Sequence, residues 1–354
     1  MIEIISDLNE MQSLAAAWNA LADWSKNPLL RHEWFAACAE AFCEPGQLRI
    51  AISKTTGGIA AIAPLALTQR HGLEGLEILG ASLLGEPGGF IYREKESLEE
   101  SIHGVIKMGR PVLLSRLRCE SPEVSVLQRA KNKGAFIIVR DSVGSPFLSL
   151  AAEWAEFEAR MSSRHRYDLR RARKRAEEVG QVSYEIVSPG PDVLDHYLEE
   201  LYQVEAAGWK GRNGTAMLFD ERMKRFFRVY SRAACGLGTL RLCFLRLNDK
   251  PVAVMLAVEI FNRFWVLKIG YDEAFSRCSP GILLVHETIR HAFEKKLETY
   301  EFLGNDADWM HMWTKQQHPY VTARIYPFSI VGHVGLGMDT IFALGGRALK
   351  MLSG

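Results

Sequence analysis

The sequence predicts an α/β protein of two tandem halves, each a mixed, mainly antiparallel sheet flanked by helices. Three observations lead there. The chain has 354 residues, too many for one ordinary core and suited to two of about 150–180 residues. Helical and strand-like periodicities alternate along both halves. One hairpin pattern also occurs twice: QLRIAISKTTGGIAAIAPLAL (47–67) lies over TLRLCFLRLNDKPVAVMLAVE (239–259) without a gap, turn included.

Each element follows from a local pattern. Leu8, Met11, Leu14, Ala15, Trp18, Leu21 and Ala22 recur at helical spacing, and a second short helix covers Leu30–Phe42. Two strand-like runs, 48–53 and 59–67, flank Lys54-Thr55-Thr56-Gly57-Gly58, where glycine admits the positive φ of a hairpin turn. Residues 76–80 and 111–117 read as further strands. The second half opens near Ser145. A helix over about Glu153–Glu178 is broken by Gly180, and 182–187 alternates as a strand. Helices over Val193–Ala207 and Asp220–Ala234 precede three strands, 239–247, 251–260 and 263–271, joined by hairpin-length turns. A helix over Gly281–Lys296 and a short strand over 298–302 follow. The expected division is 1–145, 146–327 and a tail of 328–354.

Composition narrows the function. Apolar residues are 48% and charged residues 24% of the chain, as in globular proteins. Forty-three basic against 42 acidic residues leave a net charge of +1, which argues against coating nucleic acid by bulk charge. No apolar run approaches the roughly 18 residues of a membrane span, and the acidic N-terminus lacks signal-peptide character. The six cysteines form no C-x-x-C pair and have no histidine at zinc-finger spacing. Buried free thiols and a cytoplasmic location are expected, with no metal.

The meander, loop, helix and strand of the second half converge on Arg277, Cys278, Ser279, Pro280, Gly281 and Ile282. Ser279 is a candidate N-cap and Pro280 suits the first helical position. The next N–H groups and the positive end of the helix dipole can hold an anion, Arg277 adds charge, and Gly281 allows close approach. Ser-Pro-Gly also begins many helices that bind nothing.

This junction resembles the acyl-CoA pyrophosphate loop of GNAT acetyltransferases, with Pro280 at the usual first glycine and the pattern shifted by one residue. VEAAGWKGRNGTA (204–216), GYDEAFSRCSPGILL (270–284) and YEFLGNDADWMHMW (300–313), with NPLLRHEWFAACAEAF (27–42) and GGIAAIAPLAL (57–67), resemble the CelD/BioF-like acetyltransferase family over about residues 8–326. The resemblance implies two tandem GNAT-like domains, as in Fem-type aminoacyl transferases, with a phosphate loop only in the second. It implies acyl-CoA as co-substrate and an amine or hydroxyl acceptor from polysaccharide or cell-envelope synthesis. Relatives often carry a tyrosine-lysine pair where this chain has Trp309-Met310, so the acceptor contact differs here, with Lys315 a nearby substitute.

Acyl transfer needs a polarised carbonyl, a base and a proton for the leaving thiolate. Strand 263–271 offers the polarising backbone. Glu259, Asp272, Glu301, Asp306 and Asp308 are candidate bases or relays, and Tyr271 a candidate proton donor. Trp209, Lys210 and Arg212, on a glycine-flexed loop, offer a stacking surface and cations. With Lys268, Asp308 and Trp309 they make the candidate acceptor site, expected in a cleft between the halves. Arg160–Arg175 contains eight basic residues and one acid. Met161, Leu169, Ala172, Ala176 and Val179 form its apolar stripe. Its other faces suit a solvated surface, or the phosphates of CoA, an acyl carrier protein, a nucleotide-sugar or tRNA. A tRNA-dependent Fem-like transferase and a non-catalytic binding subunit are therefore the alternatives. The glycine-rich segment 330–352 is too interrupted to span a bilayer. Over Met338–Leu352 it reads as an amphipathic helix that packs on the body or touches a membrane surface.

Overall fold

A computed structural model describes residues 2–131, 133–208 and 217–352, with side chains in the last helix described to 342 and at 344. The chain divides into two compact units, 1–143 with 319–354, and 144–318.

The first unit opens with β1 (Ile2–Ile5), α1 (Leu8–Ser13), α2 (Ala15–Ala22) and α3 (His32–Phe42). The single helix expected over 8–22 is divided at Leu14, whose N–H bonds to the Met11 carbonyl in a tightened turn. β2 (Leu48–Thr55), β3 (Gly58–Arg70) and β4 (Leu73–Ile78) form a meander. After α4 (Ala81–Leu84), β5 (Ile91–Tyr92) and α5 (Lys95–Lys107), β6 (Val112–Arg118) pairs parallel to β4. α6 (Pro122–Ala130) and β7 (Ala135–Ser149) follow.

In the second unit, α7 (Trp154–Arg160) and α8 (Ser163–Val179) replace the one long basic helix expected. Met161 closes the first and Ser162 caps the second, its Oγ accepting the His165 N–H at 3.1 Å. Leu169, Ala172 and Ala176 are buried as expected, but Val179, the last residue of the helix beside Gly180, is exposed. β8 (Val182–Val187), α9 (Pro191–Ala206) and α10 (Glu221–Gly236) lead into β9 (Leu240–Leu247), β10 (Lys250–Ile260) and β11 (Arg263–Tyr271). The turns use Asn248-Asp249 and Phe261-Asn262, all at positive φ, as two-residue hairpins require. α11 (Pro280–Glu294) crosses over to β12 (Thr299–Glu301), which pairs parallel to β11. The sheet order is β8-β9-β10-β11-β12, closed by 147–149 of β7.

Both faces of this sheet are covered, which explains its nearly continuous apolar strands. Cys243, Leu245 and Leu247 face a core shared with α8 and α11. On the other face the Phe244 ring lies 5.6 Å from Tyr197 of α9. At the centre of the first core, Tyr300 is fully buried and stacks on Phe264 at 5.0 Å, its hydroxyl 2.8 Å from Thr288 Oγ1.

The chain then returns to the first unit. β13 (Gln317–Pro327) pairs with β6 from Tyr320 to Ile325, and α12 (Ile330–Leu352) follows. Residues 319–327, expected in the second domain, therefore belong to the first, because β6 supplies their hydrogen-bonding edge.

The hairpin repeat has a structural counterpart. Leu48 pairs with Ala66 and Leu240 with Val258, the same register at matched positions. Each hairpin forms the second and third strands of its sheet. Arg49 Nη1 bonds the Gly46 and Leu48 carbonyls, and Arg241 Nη1 bonds those of Gly238 and Leu240.

α9 lies directly on β11. A Cβ at Gly270 would stand 2.9 Å from Glu205 Cα and Cγ, closer than packed carbon atoms allow. Gly270→Ala should therefore lower unfolding stability by about 1–3 kcal/mol through overpacking, measured by urea denaturation.

Candidate active site

The site is created where two neighbouring strands part. β11 and β12 pair over only three residues, Arg263–Trp265 with Thr299–Glu301. β11 continues to Tyr271 against β10 alone. Leu256 pairs with Lys268 and Ala257 with Val266, so Leu267 is an extra residue, a β-bulge. Beyond it, the Asp272 N–H bonds the Val252 carbonyl at 2.9 Å. The antiparallel alternation then turns the backbone groups of Ile269 and Tyr271 away from β10, toward the edge that β12 has left. On the other side Leu303 and Gly304, both at positive φ, turn the chain outward after β12.

The gap is a cavity of about 800 Å³, lined by Ile269, Gly270 and Tyr271 of β11, Gly281 and Ile282 of α11, and Asn305–Met310 with Asp306 and Asp308 excepted. A second hollow of about 540 Å³ shares Ser279, Ile282 and Trp309 with it. The second carries the charge: Arg171, Arg175 and His165 of α8 line it, together with Asp168 and Asp308. Together they form a groove whose inner end is largely apolar and whose outer end is charged, with Arg171 and Arg175 as its cations.

The 277–282 junction is divided by role. Ser279, Gly281 and Ile282 line the cavity. Cys278 and Pro280 are buried, and Cys278 belongs to the core. Arg277 is exposed and lines neither hollow, but its carbonyl accepts a bond from Arg175 Nη1 at 3.1 Å. This bond braces α8 against the loop. The expected cap at Ser279 is corrected: Ser279 lies in the left-handed region, φ 48°, and makes no side-chain cap. Its carbonyl takes the Ile282 and Leu283 N–H groups at 3.0 and 3.2 Å, so Gly281 is the N–H at this helix start left to face a ligand. Strained backbone of this kind is a feature of binding loops. Gly281 also needs its missing side chain, because a Cβ would stand 3.3 Å from the Tyr271 ring.

Among the acceptor and catalytic candidates, the structure brings Tyr271 and Trp309 to the cavity and Asp308 to the second hollow. Asp306 is held within its own loop, accepting from His311 at 2.8 Å and from Gln317 at 2.7 Å. Lys268, displaced by the bulge, places Nζ 5.3 Å over the Phe227 ring of α10, on the other face of the sheet. Glu301 is 2% exposed and accepts from His318 at 2.9 Å and Thr299 at 2.8 Å. His318 in turn stacks on Phe147. Glu259 pairs with Phe264, seven residues along β11 from Tyr271 and on the order of 20 Å away. Glu259 and Glu301 thus sit at the paired end of the sheet, not at its parted end. Trp209, Lys210 and Arg212 lie outside the described residues; they follow Gly208, which lines the cavity. The described cavity lies wholly within the second unit.

Glu205 was not singled out by the sequence reading. It is 1% exposed, lines the cavity and accepts the Met217 N–H at 2.8 Å. It is the one carboxylate among the described lining residues of the larger cavity. Its signal was present: an acid at a buried position of an otherwise amphipathic helix, directly before Ala-Ala-Gly. Among the described residues no cluster of His, Cys, Asp or Glu has the arrangement of a metal site.

A parted parallel pair, a bulged central strand and an anion-ready helix start between them form one recognisable arrangement. Residues 163–311 match the family model of the acetyltransferase (GNAT) domain. The protein thus carries a GNAT-type acetyltransferase domain. No curated protein matches the sequence. Three solved structures resemble nearly the whole chain. A conserved protein of unknown function from Bacteroides thetaiotaomicron is 11% identical, over 92% of this chain and 100% of that one, with TM-score 0.58. The C-terminal DUF2156 domain of a protein described as a lysylphosphatidylglycerol synthetase, from Agrobacterium fabrum, is 12% identical over 90% and 92%, with TM-score 0.57. FemX is 13% identical over 93% and 97%, with TM-score 0.56. At these identities the likeness is one of fold. With the repeated strand order, the fold is two tandem GNAT-like domains, and the GNAT acetyltransferase match lies in the second.

Glu259 is a structural residue of this domain. The His291 hydrogen bond, aided by Arg241 and opposed by partial burial, lowers its carboxyl from 4.5 to about 2. A carboxyl lowered on folding stabilises above its unfolded pKa and loses that contribution as pH falls through the folded one. Glu259→Gln should cost about 2–3 kcal/mol at neutral pH, a difference that closes between roughly pH 4.5 and 2, measured by denaturant titrations across that range.

Proposed function

We propose that the protein is an acyltransferase that moves an acyl group from acyl-CoA to an amine or hydroxyl, in the manner of CelD/BioF-like relatives. One observation carries the reading: the gap between β11 and β12 runs, past Ser279 and Gly281, into a hollow lined by Arg171 and Arg175. A narrow apolar arm, a diphosphate and a further phosphate need these features in this order. Gly281 N–H and the start of α11 would hold the diphosphate, and Arg171 and Arg175 the outer phosphate. CoA supplies a thioester, which activates the acyl carbon toward attack.

The chain's own groups supply the rest. The outward backbone of β11 near the bulge polarises the acyl carbonyl. Glu205 takes the proton of the attacking amine or hydroxyl. Tyr271 gives a proton to the departing sulfur. The acceptor itself, an amine or hydroxyl of a polysaccharide or envelope precursor, rests on family resemblance. Trp309, with Trp209, Lys210 and Arg212, is its proposed contact set.

A second reading has a specific observation in its favour. Arg164, Arg170 and Lys174 of α8 lie outside the hollow on an exposed face, more positive charge than CoA requires. Aminoacyl-tRNA as donor would use it. Acetyl-CoA should raise the thermal midpoint, and Arg175→Ala or Arg171→Ala should weaken its binding about tenfold, roughly 1.4 kcal/mol each. A steeply salt-dependent affinity for tRNA with no response to CoA would select the second reading instead. A response to neither would leave a binding subunit. Glu205→Gln keeps an acceptor for Met217 N–H, so turnover should fall by roughly 100-fold or more while CoA affinity stays near wild type.

A further inference from the structure

One face of helix α8 is cationic and turned to solvent. Leu169, Ala172 and Ala176 form the buried line of the helix. Directly opposite, Tyr167, Arg170, Arg171 and Lys174 fall within about 100° of one another. All four are exposed, Tyr167 to 56%. Among the described residues Arg170, Arg171 and Lys174 make no ion pair. The cations around them are matched: Arg160 with Glu156 at 3.2 Å, Arg173 with Glu177 at 3.0 Å and Arg164 with Asp168 at 4.0 Å. One turn beyond Lys174 the same face carries an acid, the exposed Glu178. The unmatched charge is thus a patch about 10 Å long with a phenol ring among its cations. The rest of the chain adds no excess to it, since the net charge is +1.

The size and edges of the patch select its partner. A nucleic-acid strand repeats its phosphate every few ångströms and would run on from the patch over the acids that flank it. Three cations would also release only about three counterions from such a strand. A short acidic element of a protein, two or three turns of helix, ends where the patch ends. Tyrosine and arginine are also the side chains that anchor protein interfaces.

Place narrows the partner further. Arg171 belongs to the patch and also lines the hollow at the outer end of the groove. The patch therefore borders the mouth of the groove assigned to the donor's arm under the proposed function. An acidic protein seated there holds an arm of its own over that mouth. We infer that Tyr167, Arg170, Arg171 and Lys174 dock an acidic acyl carrier protein, which delivers on its phosphopantetheine arm the same thioester that acyl-CoA carries. The inference rests on the acyl-thioester donor of the proposed function. The transfer is unchanged. The acceptor's proton goes to Glu205, its nitrogen or oxygen bonds to the acyl carbon, the carbon–sulfur bond breaks, and the carrier's thiolate leaves with the proton that Tyr271 gives.

The test is calorimetric titration of the full chain with three probes: acetyl-CoA, an acyl carrier protein bearing an acetylated arm, and the same carrier protein without its arm. The acetylated carrier should bind at least tenfold more tightly than the armless one, and its affinity should fall with salt. The double variant Arg170→Glu, Lys174→Glu should lose at least tenfold in affinity for the acetylated carrier. Its acetyl-CoA affinity and unfolding midpoint should match wild type, because both side chains are exposed and outside the hollow. Tyr167→Ala should weaken carrier binding in the same direction. Binding of acetyl-CoA with no binding of the carrier, or carrier binding equal in wild type and double variant, would overturn the inference and leave the acyl-CoA reading standing. So would tRNA binding that the double variant abolishes while the carrier is not bound at all. Binding of neither acetyl-CoA nor the acetylated carrier would overturn both.

Discussion

Everything at the active site follows from the shortness of one strand. β12 pairs with β11 for three residues and then turns away at Leu303 and Gly304. A sheet interior normally leaves no backbone group for a ligand, since each is taken by a neighbour. Ending one strand early while its neighbour continues opens the sheet along that edge, and the cavity fills the opening. The bulge at Leu267 then decides which side chains line it. It turns Lys268 toward α10 and leaves Ile269 and Tyr271 facing the cavity. The start of α11 sits at the same end because the crossover from β11 to a parallel neighbour has to begin there.

Much of the fold was legible because its signals are local. The three-strand meander of the second half, its turns and α11 follow from alternation, hairpin residues and Ser-Pro-Gly. The register of the repeat was legible too, since an ungapped match preserves pairing. What escaped depended on distant partners. β13 and β7 complete their sheets through neighbours far along the chain, and nothing in their own patterns names those neighbours. β1, α5 and α6 are short amphipathic segments of the kind a single sequence leaves ambiguous.

The site was legible in its loop and not in its acids. Ser279, Gly281 and Ile282 reach the cavity because a strand-to-helix junction is recognisable in one dimension. Glu259 and Glu301 looked equally suitable, being strand-end carboxylates. Which end of the strand parts from its neighbour is a property of pairing, and pairing put both at the closed end with His291 and His318. Glu205 carries the opposite lesson. Its role as a lining residue comes from burial against Gly270, 65 positions away in sequence.

That contact between Glu205 and Gly270 has a mechanical meaning. Where most helices rest on a sheet through a cushion of side chains, α9 touches the bare chain of β11. Packed interiors deform little, so the helix and the strand edge move as one body at this point. A load on the strand edge at Gly270 therefore passes straight to α9 at Glu205, the carboxylate that lines the cavity, through a single glycine.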